Sequence, residues 1–117
     1  MRRRLLKLLE DIRSSASAIR DYTSSLSESD YLDNSLVRRA VEREFEIIGE
    51  AMNRLSRDFP DIVGRITGSR QIVGFRNVLA HGYDIVEHDE VWTTIADDVP
   101  RLLAEVQALM DEERRTP

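Results

Sequence analysis

One feature restricts the possible folds more than any other: the apolar stripe Val37, Val41, Phe45, Ile48, Met52, Leu55 and Phe59, in steps of three and four. That spacing puts seven side chains on one face of a single helix. Ala40, Ile47 and Ala51 widen the stripe, so the helix is expected to pack on two neighbours. Asp33 or Asn34 suits its N-cap, and Pro60 follows its end. Gly49 lies inside it. A glycine there costs about 0.8–1 kcal/mol against alanine, which points to a close helix contact at that position.

The rest of the chain reads as helix on either side. Leu5, Leu8/Leu9, Ile12, Ala16, Ile19, Thr23 and Leu26 recur at helical spacing and predict a first helix over residues 3–27. Ser24, Ser25, Ser27 and Ser29 then loosen the pattern into a loop. Residues 61–68 form a connector with one short turn. Ser69 is placed to cap a third helix over residues 70–81, whose apolar positions are Ile72, Val73, Phe75, Val78 and Leu79; Gly74 is read as a point of close approach. Asp89 is placed to cap a fourth helix carrying Val91, Trp92, Ile95, Val99, Leu102/Leu103, Val106 and Leu109/Met110. Pro100 should kink or split it, with Asp97 or Asp98 capping the second piece. The expected fold is all-α: one domain over residues 1–117, an antiparallel bundle of four to five helices.

Composition agrees. The hydrophobic fraction is 41% and the charged fraction 33%, and five glycines with three prolines leave few of the turns an all-β fold needs. No cysteine is present, so there is neither a disulfide framework nor a thiolate metal site. The basic start resembles a signal peptide's charged region, but Lys7, Glu10, Asp11 and Arg13 interrupt any apolar run. No run approaches the ~20 apolar residues of a membrane span, and a cytoplasmic protein is expected. The net charge of −5 argues against indiscriminate nucleic-acid binding, and DNA is not an expected partner. Its distribution is uneven. Arg54, Arg57, Arg65, Arg70 and Arg76 face only Asp58 and Asp61 in the middle, whereas residues 84–113 are strongly acidic with Arg101 as the one basic residue. A polyanion could bind the middle and avoid the C-terminal helix, although most such charges simply solvate helix faces.

The stretch richest in chemistry is Arg76-Asn77-Val78-Leu79-Ala80-His81-Gly82-Tyr83. Gly82 can close a helix in the left-handed conformation, which puts His81 in the last turn and Tyr83 just beyond. Asn77 and His81, four apart, share a face. Arg76 and His81, five apart, lie roughly 140° round the helix at about 100° per residue, so one monomer does not stack them. A long arginine reaching over, or a second copy, would complete the pair. Histidine moves a proton in either direction near neutral pH, and arginine's planar fork binds phosphate. Together, with no metal ligands nearby, they suit phosphodiester cleavage by a substrate's own 2′-hydroxyl. The alternative is a capping or half-buried histidine at a helix end.

Other candidates read as structural. His88, in Glu87-His88-Asp89-Glu90, falls in a loop without helical ligand spacing. Glu42, Glu46 and Glu50 interleave with Arg38, Arg39 and Arg43, as solvent ion pairs do. Trp92 is read as core.

Arg-x4-His-x-Tyr at the end of a third helix resembles the HEPN superfamily, and specifically the HepT-like toxin family. The likeness extends to Glu46-Ile47-Ile48-Gly49-Glu50-Ala51, to Phe75 through Tyr83, to Val91-Trp92-Thr93-Thr94-Ile95 and to Asp98-Val99-Pro100-Arg101-Leu102. It covers most of residues 36–109; the first helix carries little of it. The resemblance implies a toxin acting as a metal-independent endoribonuclease on RNA, without a cofactor, with Arg76 and His81 catalytic and Asn77 supporting. It implies a homodimer whose two motifs share a composite cleft, which would answer the 140° separation. It also implies a cognate nucleotidyltransferase antitoxin of the MNT type, expected to transfer AMP from ATP to Tyr83. The competing class is a non-catalytic HEPN module that only binds and presents a surface to a nucleotidyltransferase. An intact Arg76/His81 pair favours the first; an exposed apolar patch with no accessible His81 would favour the second.

Overall fold

A computed structural model describes residues 2–81 and 86–116, without the side chains of Ala80 and His81. Every element in it is a helix: α1 Arg3–Thr23, α2 Glu28–Asp33, α3 Ser35–Asp58, α4 Pro60–Val63, α5 Ser69–His81, α6 His88–Asp97 and α7 Val99–Arg115. The all-α class follows as expected. Five longer helices form the bundle, and two short ones bridge them.

The centre is α3. Asn34 caps it, its Oδ1 accepting from the Val37 N–H at 3.1 Å. Val41, Phe45, Ile48, Met52 and Leu55 are buried, and Val37 and Phe59 pack half-buried at the two ends of the stripe. As the width of the stripe demands, α3 has two large neighbours, α1 and α5. Arg4 pairs with Asp58 at 2.5 Å near one end of the α1–α3 contact and Tyr22 bonds to Glu44 at 3.1 Å towards the other, so α1 and α3 run antiparallel. α7 covers α1 from the other side. Arg2 ties the start of α1 to Glu113 on α7 through its backbone N–H at 2.8 Å and its Nε at 3.2 Å, and its guanidinium lies 5.6 Å from the Phe59 ring centroid.

Several boundaries differ from the sequence expectation. α1 ends at Thr23, not at residue 27; Leu26 falls beyond the helix, its N–H donating to the Thr23 carbonyl at 3.0 Å in a closing turn. The serine-rich stretch then starts α2 through a capping box: the Ser27 hydroxyl accepts from the Asp30 N–H and the Asp30 carboxylate from the Ser27 N–H, both at 3.1 Å. Tyr31 of α2 is fully buried, its ring 5.4 Å from that of Trp92, which is half-buried at the core's edge. Burial pushes the Tyr31 hydroxyl up to about 12. Ser69 begins α5 and does not cap it; Gly68, at φ 74°, supplies the carbonyl that Ile72 donates to at 3.1 Å. Gly74 is exposed and has no neighbour within 4 Å of where a Cβ would stand, so it is not a point of close approach.

The last helix splits, as Pro100 requires. Pro100 sits in the first turn of α7, where its missing N–H costs nothing. Asp98 occupies the junction, but its carboxylate accepts from Arg101 at 3.3 Å and does not cap the helix. Asp89 likewise does not cap α6; it lies in the first turn, after His88, which begins the helix where a loop was expected. No helix among the described residues is long and apolar enough to cross a membrane.

Candidate functional site

α5 carries Arg76, Asn77 and His81, and it packs chiefly on α3. The point of contact is Gly49. A Cβ built there would overlap the Cβ and Cγ of Arg76 and would lie 3.5 Å from the Ile72 carbonyl oxygen. The glycine thus opens a notch in α3 that holds the stem of the arginine, which is the close contact expected at that position. Phe45 and Phe75 flank the notch edge to face, their centroids 5.1 Å apart.

Above the notch the guanidinium is held at two nitrogens. Nη1 donates to Asn77 Oδ1 at 3.1 Å on the same helix, and Nη2 faces Glu50 Oε1 at 3.5 Å on α3. Nε is buried and meets no protein acceptor. The Arg76 side chain remains 29% exposed, so the charged end can still be reached from solvent. Asn77 was placed in this site on its spacing from His81; its observed partner is Arg76.

α5 is described as far as His81. The side chain of His81, and Gly82 and Tyr83 entirely, lie outside the described residues, and with them the Arg76–His81 relation, the closing of the helix at Gly82 and the placing of Tyr83 beyond it.

Glu50 is the residue sequence reading passed over. It counted as one member of an ion-pair stripe along α3. Glu46 does behave that way, pairing with Arg43 at 3.3 Å within the helix, but Glu50 reaches across to the other helix. Its place next to Gly49, inside the segment from Glu46 to Ala51, was the available signal.

The basic middle of the chain is partly neutralised by the acidic C-terminal helix. Arg65 forms a bidentate pair with Glu112 at 3.1 and 2.6 Å and holds that carboxyl below its ordinary range. Arg54, Arg57 and Arg70 are exposed and form no ion pair among the described residues. Between α3, α5 and the α6–α7 junction lies a cavity of about 450 Å³, with Phe45 and Ile48, Gln71 and Phe75, and Asp98 and Arg101 on its three walls. Among the described residues no group of three or more His, Asp or Glu side chains is arranged to hold a metal ion.

Gly49 on α3 and Arg76 and His81 on α5 all lie in the segments on which the likeness to the HEPN superfamily rested. The family model for HepT-like ribonucleases matches residues 12–109. The chain belongs to the HepT-like ribonuclease family. Among the family's curated members, a protein of Methanocaldococcus jannaschii provisionally named an RNase is 32% identical over 99 residues, covering 85% of this chain and 90% of its own length. A protein of Thermococcus cleftensis provisionally named ribonuclease HepT is 31% identical over 109 residues, covering 93% and 98%. A third, from Caldanaerobacter subterraneus subsp. tengcongensis and also provisionally named an RNase, is 28% identical over 106 residues, covering 91% and 94%. No solved structure matches the chain. The HepT-like match runs from within α1 to within α7 and takes in all of α2 to α6, and with them both Gly49 and Arg76.

Proposed function

We propose that the protein is a metal-independent endoribonuclease, with Arg76 binding the scissile phosphate and His81 moving the proton. The observation that carries this reading is the seating of Arg76: a partly exposed guanidinium anchored at its stem by Gly49 and flanked by Asn77, in a chain of a ribonuclease family. In the reaction His81 takes the proton of the 2′-hydroxyl, the O2′ attacks phosphorus, and the P–O5′ bond breaks. The products are a 2′,3′-cyclic phosphate and a 5′-hydroxyl that receives a proton. Arg76 stabilises the charge that builds on the phosphate oxygens.

The working unit in this reading is a homodimer. The two motif residues are separated round α5, and the described side chains of α5 are at most half-buried, so a second copy has both a chemical and a packing reason to dock there. Light scattering at micromolar concentration is expected to give twice the chain mass of 13.5 kDa; a monomer would refute the composite cleft.

The control point is Tyr83. An MNT-type nucleotidyltransferase transfers AMP from ATP to its hydroxyl, releasing pyrophosphate. The phosphodiester then competes for Arg76, where a charge-assisted bond is worth about 1.5–3 kcal/mol, and tethering raises its effective concentration. The protein is accordingly the toxin of a HEPN/MNT pair. Cleavage of single-stranded RNA in EDTA, lost in His81→Ala and Arg76→Ala, tests the nuclease. A requirement for magnesium would refute the metal-free mechanism, and binding to the transferase without any cleavage would favour the non-catalytic module. Tyr83→Phe should fold, cleave and escape modification; mass spectrometry finding AMP elsewhere would overturn the regulatory part alone.

A further inference from the structure

We propose that Glu50 is a positioning residue for Arg76, one that sets which edge of the guanidinium meets the substrate. The inference rests on Arg76 being the phosphate-binding group of the proposed site.

A guanidinium offers five N–H donors on three nitrogens, and it grips a phosphate through two parallel ones. Two edges can do this: the side edge, using Nε, and the end edge, using both Nη atoms. In Arg76 the choice is already made. Its Cβ and Cγ lie in the Gly49 notch, and Nε is turned inward with no solvent-accessible surface to speak of. The side edge is therefore closed. Asn77 takes one donor of Nη1 at 3.1 Å and Glu50 faces Nη2 at 3.5 Å. Each Nη keeps a second N–H, so both nitrogens still have a donor to offer a phosphate.

The two holders sit on different helices, Asn77 on α5 and Glu50 on α3. Asn77 alone moves with the arginine's own helix. Glu50 references the guanidinium to the neighbouring helix, so the planar group is fixed relative to the seam and not only to its own backbone. The pair spans 26 positions of sequence and is 44% exposed on the carboxylate side. An exposed pair of this kind adds little to stability. Its effect falls instead on the orientation of a long side chain that otherwise samples many rotamers.

The opposite role is an anionic competitor: a carboxylate that occupies Arg76 until RNA displaces it. Removal of Glu50 would then speed the enzyme and lower KM. The positioning role requires the reverse.

The test uses the full chain with Glu50→Ala and Glu50→Gln, a randomised pool of single-stranded RNA oligonucleotides for steady-state cleavage, and nitrogen-15 NMR of the Arg76 guanidinium without RNA. Glu50→Ala is expected to lower kcat by about ten- to hundred-fold with KM little changed and the thermal midpoint unmoved. Glu50→Gln, which keeps an acceptor oxygen at the same reach, should restore most of the rate. By NMR the two Nη groups should be distinct in the unaltered protein and averaged by free rotation in Glu50→Ala. Equal or faster cleavage by Glu50→Ala overturns the proposal, as do Nη signals already averaged in the unaltered protein. If the unaltered protein cleaves nothing, the ribonuclease reading falls, and the NMR comparison still decides whether Glu50 holds the arginine.

Discussion

The two flanks of α3 are packed to different standards. On the α1 flank, Leu5, Leu9, Ile12, Ala16 and Ile19 are completely buried, and α7 closes over them. On the α5 flank, Ile72, Val73, Phe75 and Leu79 are only half-buried, although their side chains are as apolar. The difference lies in the number of neighbours. α1 is covered from two sides, whereas α5 has α3 on one side and a cavity before the α6–α7 junction on another. One flank holds the fold together. The other is left thin enough to expose a guanidinium, and that is where the motif residues lie.

The largest expected effect sharpens this contrast. His81→Ala should reduce RNA cleavage by about 10²–10⁴-fold, the usual worth of acid–base catalysis, and Arg76→Ala should abolish it, while both variants melt close to the unaltered protein. A matching loss of helicity by circular dichroism would mean that the α5 flank is structural after all.

Core truncations come next. Ile12→Ala on the dense flank should cost about 2–5 kcal/mol. Ile72→Ala on the thin flank removes a side chain already half in water and should cost about half as much or less. Equal losses in chemical denaturation would erase the distinction between the two flanks.

The two glycines of the thin flank should then move in opposite directions. Gly49→Ala inserts a methyl into the space of the Arg76 stem, and overpacking of about 1–3 kcal/mol should outweigh the ~1 kcal/mol gained in helix propensity. It should also displace the guanidinium and slow cleavage. Gly74→Ala meets nothing within 4 Å and should stabilise by about 0.8–1 kcal/mol. Were Gly49→Ala to stabilise as much as Gly74→Ala, the notch would not be a constraint.

The smallest expected effect concerns the dense flank in acid. Glu113 accepts from both the side chain and the backbone N–H of Arg2, which holds its carboxyl below the usual range. A carboxyl depressed in the folded state contributes stability above its unfolded pKa, near 4.3. That contribution is lost as pH falls through the folded value. Glu113→Gln should therefore lower the midpoint of urea unfolding at pH 7 and flatten its decline below pH ~4. An unchanged acid profile would show that the Arg2–Glu113 tie contributes nothing to docking α1 on α7.

Much of the bundle was legible because its signals are local. The stripe from Val37 to Phe59, the cap at Asn34 and the break at Pro100 each depend on residues within a turn or two. α2 escaped notice because six residues are too few to show a period, and its capping box uses Asp30 where glutamate or glutamine is the usual signal. Gly74 was misread for a different reason. A missing Cβ looks the same in sequence whether the space beside it is crowded or empty, and only the neighbours tell Gly49 from Gly74.

By itself, then, the sequence determined the helical class, the central helix and the identity of the Arg76–Asn77–His81 segment, since periodicity, capping and motif spacing are written in neighbouring residues. Only the tertiary structure decided that Arg76 lies in the notch of Gly49, that Nε faces inward, and that Glu50 serves α5 and not its own helix. Those are contacts between residues 26 and 27 positions apart. They come from the way two helices cross, a crossing that no window of sequence along either helix contains.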